Sequence, residues 1–177
     1  ELAKTVTHYK TKIEHVVWRE QQAVRSVRRL GDHPELTAYI DRYCEDVASH
    51  GMRETQKIEE ALDFISKTSA LTVPTTLEET EAETSLKKLV PKRQFKGTLS
   101  EDLLKESLDE KEREWYEEIA EKDADFEKKM AEIINFMDGK RSGNDLLKIV
   151  SAEYNPTDPE RVLKFLRDLE KAKLIIF

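Results

Sequence analysis

Residues 134–155 read INFMDGKRSGNDLLKIVSAEYN, and their reading decides how the second half of the chain folds. The apolar end of one helix (Ile134, Phe136, Met137) runs into an Asp-Gly pair followed by two bases. A second amphipathic helix follows Ser142 and carries Leu146, Leu147, Ile149, Val150 and Tyr154. Asp-Gly marks a turn, because glycine tolerates a positive φ and an Asp carboxylate bonds the backbone just ahead of it. Asp138, Gly139, Lys140 and Arg141 therefore read as a structural turn. Two helices about such a turn fit either a DNA-reading pair or a small packing module.

The residues downstream discriminate between these. In NPTDPERVL, Thr157 or Asp158 suits a helix cap, Pro159 the first helical position and Glu160 the first turn. The last helix presents Val162, Leu163, Phe165, Leu166 and Leu169 to a core, and AKLIIF predicts a short terminal strand. Three helices and a strand are the parts of a winged-helix-like module. A DNA reader needs bases and amides on the outer face of its last helix. Here that face holds Arg161, Lys164, Arg167 and Lys171 beside Glu160, Asp168 and Glu170. Such mixed charge fits a solvated, salt-bridged helix and favours a packing module, so nucleic acid is not the expected partner.

Upstream, residues 110–127 are strongly acidic, yet Trp115, Ile119 and Phe126 recur at helical spacing. The pattern predicts a solvated helix running on through Met130 and Ile133 to the turn, with Ser100 capping an earlier segment, SEDLLKESL. Residues 68–99 are rich in Thr, Ser and Glu, contain Pro74 and read as a linker. Its end, LVPKRQFKGTLS, reads as a solvated connector, or as a strap anchored by Val90 and Phe95.

Residues 1–67 predict a long antiparallel helical hairpin. Leu2, Val6, Tyr9, Ile13, Val16, Val17, Val24, Val27 and Leu30 form one stripe, GDHPEL makes the turn, and Leu36, Ile40, Tyr43, Val47, Ile58, Leu62 and Ile65 form the second. Gly31 suits the first helix end, Asp32 the next cap and Pro34 its first turn, while Gly51 is a weak point. A hairpin alone leaves apolar surface uncovered, so Val6, Ile13, Val24, Ile40, Val47 and Leu62 are expected to contact a partner, most simply a second copy. The expected fold is mainly α: hairpin 1–67, linker 68–99, and over 100–177 an acidic helix plus a winged-helix-like module with a short C-terminal strand.

Composition supports long helices, because only five glycines and five prolines punctuate the chain; charged residues make up 38%, against roughly 25% in an average domain. The net charge of −7 falls entirely on residues 99–177, and an acidic half repels phosphate. A single cysteine, Cys44, excludes an internal disulfide and a cysteine-cluster zinc site, and reads as a small buried residue. His8 and His15 are seven apart, whereas metal pairs on one helix need a spacing of three or four. The sequence holds no HExxH, phosphate-cradling glycine loop or GxSxG elbow, so catalytic and metal residues are expected to be none. With neither a membrane span nor a secretory signal in view, no membrane partner is expected and the expected location is cytoplasmic. The first residue, Glu1, and the apolar end LIIF read as a segment cut from something longer.

LVPKRQFKGTLS, the acidic helix, the INFMDGKRSGNDLLKIVSAEYN stretch and RVLKFLRDLEKAKLI together resemble the C-terminal extension of bacterial and archaeal di-zinc exopeptidases. These form the aminopeptidase family related to the transferrin receptor. The resemblance covers about residues 86–177 and implies a non-catalytic part of a zinc aminopeptidase, a hydrolase, serving assembly or shielding an active site. Zinc would belong to a covalently linked catalytic domain, with no counterpart in this chain, so no cofactor is expected here. AKLI also stands where the family more usually has AGLI. The expected function is thus a helical segment mediating domain or subunit contacts through self-association or a linked domain. The alternatives are a dimeric winged-helix DNA-binding transcription regulator and, more weakly, a coiled-coil adaptor.

Overall fold

The computed structural model describes residues 2–31, 33–69, 78–97, 99, 104 and 106–177. The chain divides into two compact units, Glu1–Leu77 and Glu78–Phe177. The described residues are mainly helical, with one two-stranded sheet.

The first unit contains α1 (Leu2–Ser26), a turn of 3-10 helix (Val27–Leu30) and α2 (Pro34–Ser69). Pro34 opens α2, where its missing N–H has no helical acceptor to lose. Asp32, the expected cap, lies outside the described residues. Lys10 pairs with Glu59 at 2.7 Å, Gln21 Nε2 donates to the Cys44 carbonyl at 2.9 Å, and Arg28 pairs with Asp41. Positions late in one helix thus meet positions early in the other. α2 runs unbroken through Gly51. A Cβ there would collide with Val17, so the glycine marks a close approach between the helices.

That approach changes the reading of the apolar stripe. Ile40, expected on a partner face, is only 2% exposed, while Val6, Ile13, Val24, Val47 and Leu62 are half-buried. Around Ile13, Val17 and Gly51 the two helices use the stripe on each other. The open apolar side chains are different ones, among them Tyr9, Val16, Leu30, Tyr39 and Phe64. Cys44 is buried and its thiol free, as a small core residue would be.

The second unit begins inside the stretch read as linker. Residues 70–77 lie outside the described residues, but α3 (Glu81–Lys88) and β1 (Lys92–Arg93) follow. Thr80 and Glu83 form a reciprocal capping box, and Ala82 and Leu86 are buried at the helical spacing of four. Acidic, threonine-rich composition concealed this helix. α4 (Glu110–Lys122) is capped by a second box, Asp109 with Glu112; the expected cap Ser100 lies outside the described residues. The expected continuous helix is instead two, because the chain turns at Asp123–Asp125 before α5 (Phe126–Phe136). α6 (Gly143–Glu153) is capped by Ser142, and α7 (Pro159–Lys171) by Asp158 with Pro159 in its first turn.

α3 packs against both α6 and α7, and α5 against α6. Their core joins Leu86, Ile133, Ile134, Met137, Leu146, Val150, Phe165, Leu166 and Leu169. β1 pairs antiparallel with β2 (Ile175–Ile176), Lys92 opposite Ile176 and Arg93 opposite Ile175, which seals Ile175 into that core.

α7 ends in a Schellman turn: Leu174 N–H donates to Leu169 O and Lys173 N–H to Glu170 O, both at 2.9 Å. Such a turn needs a left-handed residue, and Lys173 takes that place at φ 59°. It is the position where AKLI departs from AGLI. A side chain in this conformation costs about 1–2 kcal/mol, which glycine avoids. Lys173→Gly should therefore raise the unfolding free energy of the second unit by about 1 kcal/mol in urea titration. A loss of stability would show that Lys173 is not strained.

Candidate functional site on the outer face of the last helix

α4 engages part of the face of α7 that a DNA reader would present: Arg161 and Lys164 are half-buried, while Glu160, Arg167, Glu170 and Lys171 are exposed. Asp168 is 5% exposed, and its carboxylate accepts from Tyr116 Oη at 2.8 Å and Lys164 Nζ at 2.7 Å. The Lys164 ammonium lies 4.9 Å from the Trp115 ring centre and 5.6 Å from that of Tyr116, within cation–π range. One turn along, Lys171 Nζ reaches both oxygens of Glu112 at 2.7 Å. At the other end Arg161 lies 3.7 Å from Asp123, just past α4. Arg167 pairs with Glu170 at 3.0 Å, and its guanidinium lies 5.3 Å from the Phe177 ring.

This packing changes proton affinities in the expected directions. Burial, reinforced by the bond to Asp168 and the charges of Asp168 and Glu112, pushes the Tyr116 hydroxyl far up. Its proton stays in place to hold Asp168. The bond from Lys171, with a backbone N–H bond at Asp109, holds Glu112 below the usual carboxylate range, and Lys171 is raised in turn.

A buried ionic cluster fixes the break between α4 and α5. Lys129 is 1% exposed, and its ammonium donates to Asp123 Oδ2 at 2.6 Å and Asn155 Oδ1 at 2.7 Å. Burial acts to raise Asp123. The Lys129 bond and charge, the Asp125 N–H and the Arg161 charge outweigh it and hold the carboxyl low.

The four turn residues Asp138, Gly139, Lys140 and Arg141 come together as one motif. Asp138 Oδ1 accepts from the N–H groups of Lys140 (2.9 Å) and Arg141 (3.0 Å), and Gly139 has φ 72°. Arg141 pairs with Asp138 of its own turn at 2.7 Å and lies over the Phe136 ring. Lys140 is exposed. Burial raises Asp138, but the two N–H bonds and the Arg141 charge prevail and keep it low.

Sequence reasoning placed the α7 bases on one face and missed the α4 residues that pair with them. Tyr116 and Asp168 stand 52 positions apart and carry no spacing signal. His15 is buried beside Trp18, and burial, with the Lys12 charge, lowers His8. Among the described residues no three His, Cys, Asp or Glu side chains form a metal-binding group, and no helix is long and apolar enough to cross a membrane. Compared with known proteins, the chain matches no family model, no curated protein and no solved structure.

Because Asp123 is lowered on folding, its contribution is fully present above the unfolded carboxyl pKa of about 3.9 and is lost as pH falls below it. Asp123→Asn should cost about 1.5–3 kcal/mol near neutral pH, the range for hydrogen bonds to charged groups. It should also flatten the loss of stability between about pH 5 and 3 in denaturant titrations. An unchanged acid slope would show that other carboxylates carry it.

Proposed function

We propose that the chain is a non-catalytic helical segment that mediates domain or subunit contacts. The observation that carries this reading is the pairing of charges on the outer face of α7, where Asp168, Lys171 and Arg161 meet Tyr116, Glu112 and Asp123. The order α3, β1, α6, α7, β2 supports a winged-helix-like module with α4 and α5 inserted after its first strand. In such a module α7 is the element that would enter a DNA groove. Its acidic covering favours packing over the transcription-regulator alternative. The role matches what the resemblance to the C-terminal extension of zinc aminopeptidases implies, with any zinc and hydrolytic chemistry lying in a linked domain.

The contact surface is assigned to the first unit. Its paired residues support an antiparallel hairpin, and outside that pairing Leu2, Tyr9, Val16, Ala23 and Leu30 are exposed every seven residues. A line of this period suits a second helical surface wound gently along it. The simplest partner is a second copy, because opposite charges nearly balance in this unit.

Burying a Val side chain stabilises by about 1.5–3 kcal/mol, so Tyr9→Glu combined with Val16→Glu should convert a self-associated chain to monomer in light scattering. A wild-type chain that stays monomeric at high concentration would remove self-association. Fluorescence anisotropy with duplex DNA at low salt separates the alternative. No tight binding is expected, whereas salt-steep affinity lost on replacing Arg161, Lys164 and Arg167 would favour the regulator.

A further inference from the structure

The second unit holds a partly open, apolar cavity of about 420 Å³ at the edge of its core. Its wall comes from Leu108, Tyr116, Ala120, Phe126, Met130 and Phe165, among others. The volume lies within the roughly 300–1,000 Å³ of small-molecule sites. Three aromatic rings face one space, a surface that suits a cation as well as an alkyl chain.

Glu117 and Glu127 also line the cavity, and both are exposed. Among the described residues neither carboxylate has an ion-pair partner, unlike Glu112, which is held by Lys171. Lys164, which lies over the Tyr116 ring, is already bound to Asp168. Residues 99–177 also carry the whole net charge of −7. An anion entering here meets repulsion, and a neutral apolar molecule leaves the carboxylates unanswered. A molecule with a cationic head and an apolar body answers both the wall and the rim.

We propose that this cavity binds a hydrophobic cation of the alkylammonium class, its charged head at Glu117 and Glu127 and its chain among Leu108, Phe126, Met130 and Phe165. Apolar burial supplies the affinity, and the two carboxylates supply the choice of charge. Binding here is separate from the contact role of the first unit, and either can hold without the other.

The test is calorimetric titration of the full chain with decyltrimethylammonium and with decyl sulfate, both below micelle formation. Saturable one-site binding is expected for the cation, about tenfold or more tighter than for the anion, as one to two exposed charge contacts would give. Glu117→Gln combined with Glu127→Gln should reduce that preference to within about twofold while leaving chain uptake. Ala120→Phe or, at the more exposed position, Ala131→Phe should fill the space and abolish uptake of both probes, each variant first shown to unfold cooperatively. No saturable binding of the cation, equal affinity for both charges, or binding that survives a folded cavity-filling variant would each overturn the proposal.

Discussion

Asp168 places a carboxylate on the side of α7 that α4 covers, and a carboxylate removed from water is tolerated only when its oxygens are bonded. Tyr116 of α4 supplies one bond and Lys164 of α7 the other. Trp115 then lies within cation–π range of Lys164, so one acid fixes which face of α4 turns inward. Glu112 and Asp123 follow at the ends of the same face, meeting Lys171 and Arg161. Separately these exposed or half-exposed pairs contribute little. Around a buried acid bonded twice at Oδ2 they act as a register for the helix.

Docking α4 on α7 requires the chain to turn before α5 can reach the core. Asp123 makes that turn and also accepts from the buried Lys129 ammonium. α5 then delivers Ile133, Ile134 and Met137 to the shared core, and the Asp138 turn reverses the chain into α6. Gly143 completes the fit: its N–H donates to Leu89 O at 2.8 Å, and a Cβ would stand 2.8 Å from Leu86 Cδ2 and 2.9 Å from Leu166 Cδ1. A larger residue would require Leu86 and Leu166 to shift, so glycine lets α3 and α7 close tightly on the start of α6.

Much of this was legible because it is local. The Phe165–Leu166–Leu169 face, the Asp158 cap with Pro159, the Asp-Gly turn and the terminal strand follow from spacing within a few residues. α3 escaped because Thr80 and Glu83 sit in a stretch whose composition resembles a linker, although the capping spacing was present. The break at Asp123 escaped because no Gly or Pro marks it; the cause is an ion pair with Lys129, fixed only once the chain folds back. In the first unit, periodicity revealed apolar stripes but not which stripe the helices would use on each other. Ile40 fell on the buried side, and Tyr9 and Val16 on the open one. The cover on α7 is the least local feature, and no sequence window contains both partners.

A double-mutant cycle between Tyr116 and Asp168 tests the account most directly, using Tyr116→Phe, Asp168→Ala and the pair, with unfolding free energies from urea titration. If α4 is fixed on α7 through this bond, the two losses should be coupled by about 1.5–3 kcal/mol, the range for a hydrogen bond to a charged group. Additivity within about 0.3–0.5 kcal/mol, as for independent sites, would mean that α4 does not cover the last helix, and the reading of the second unit as a closed packing module would fall.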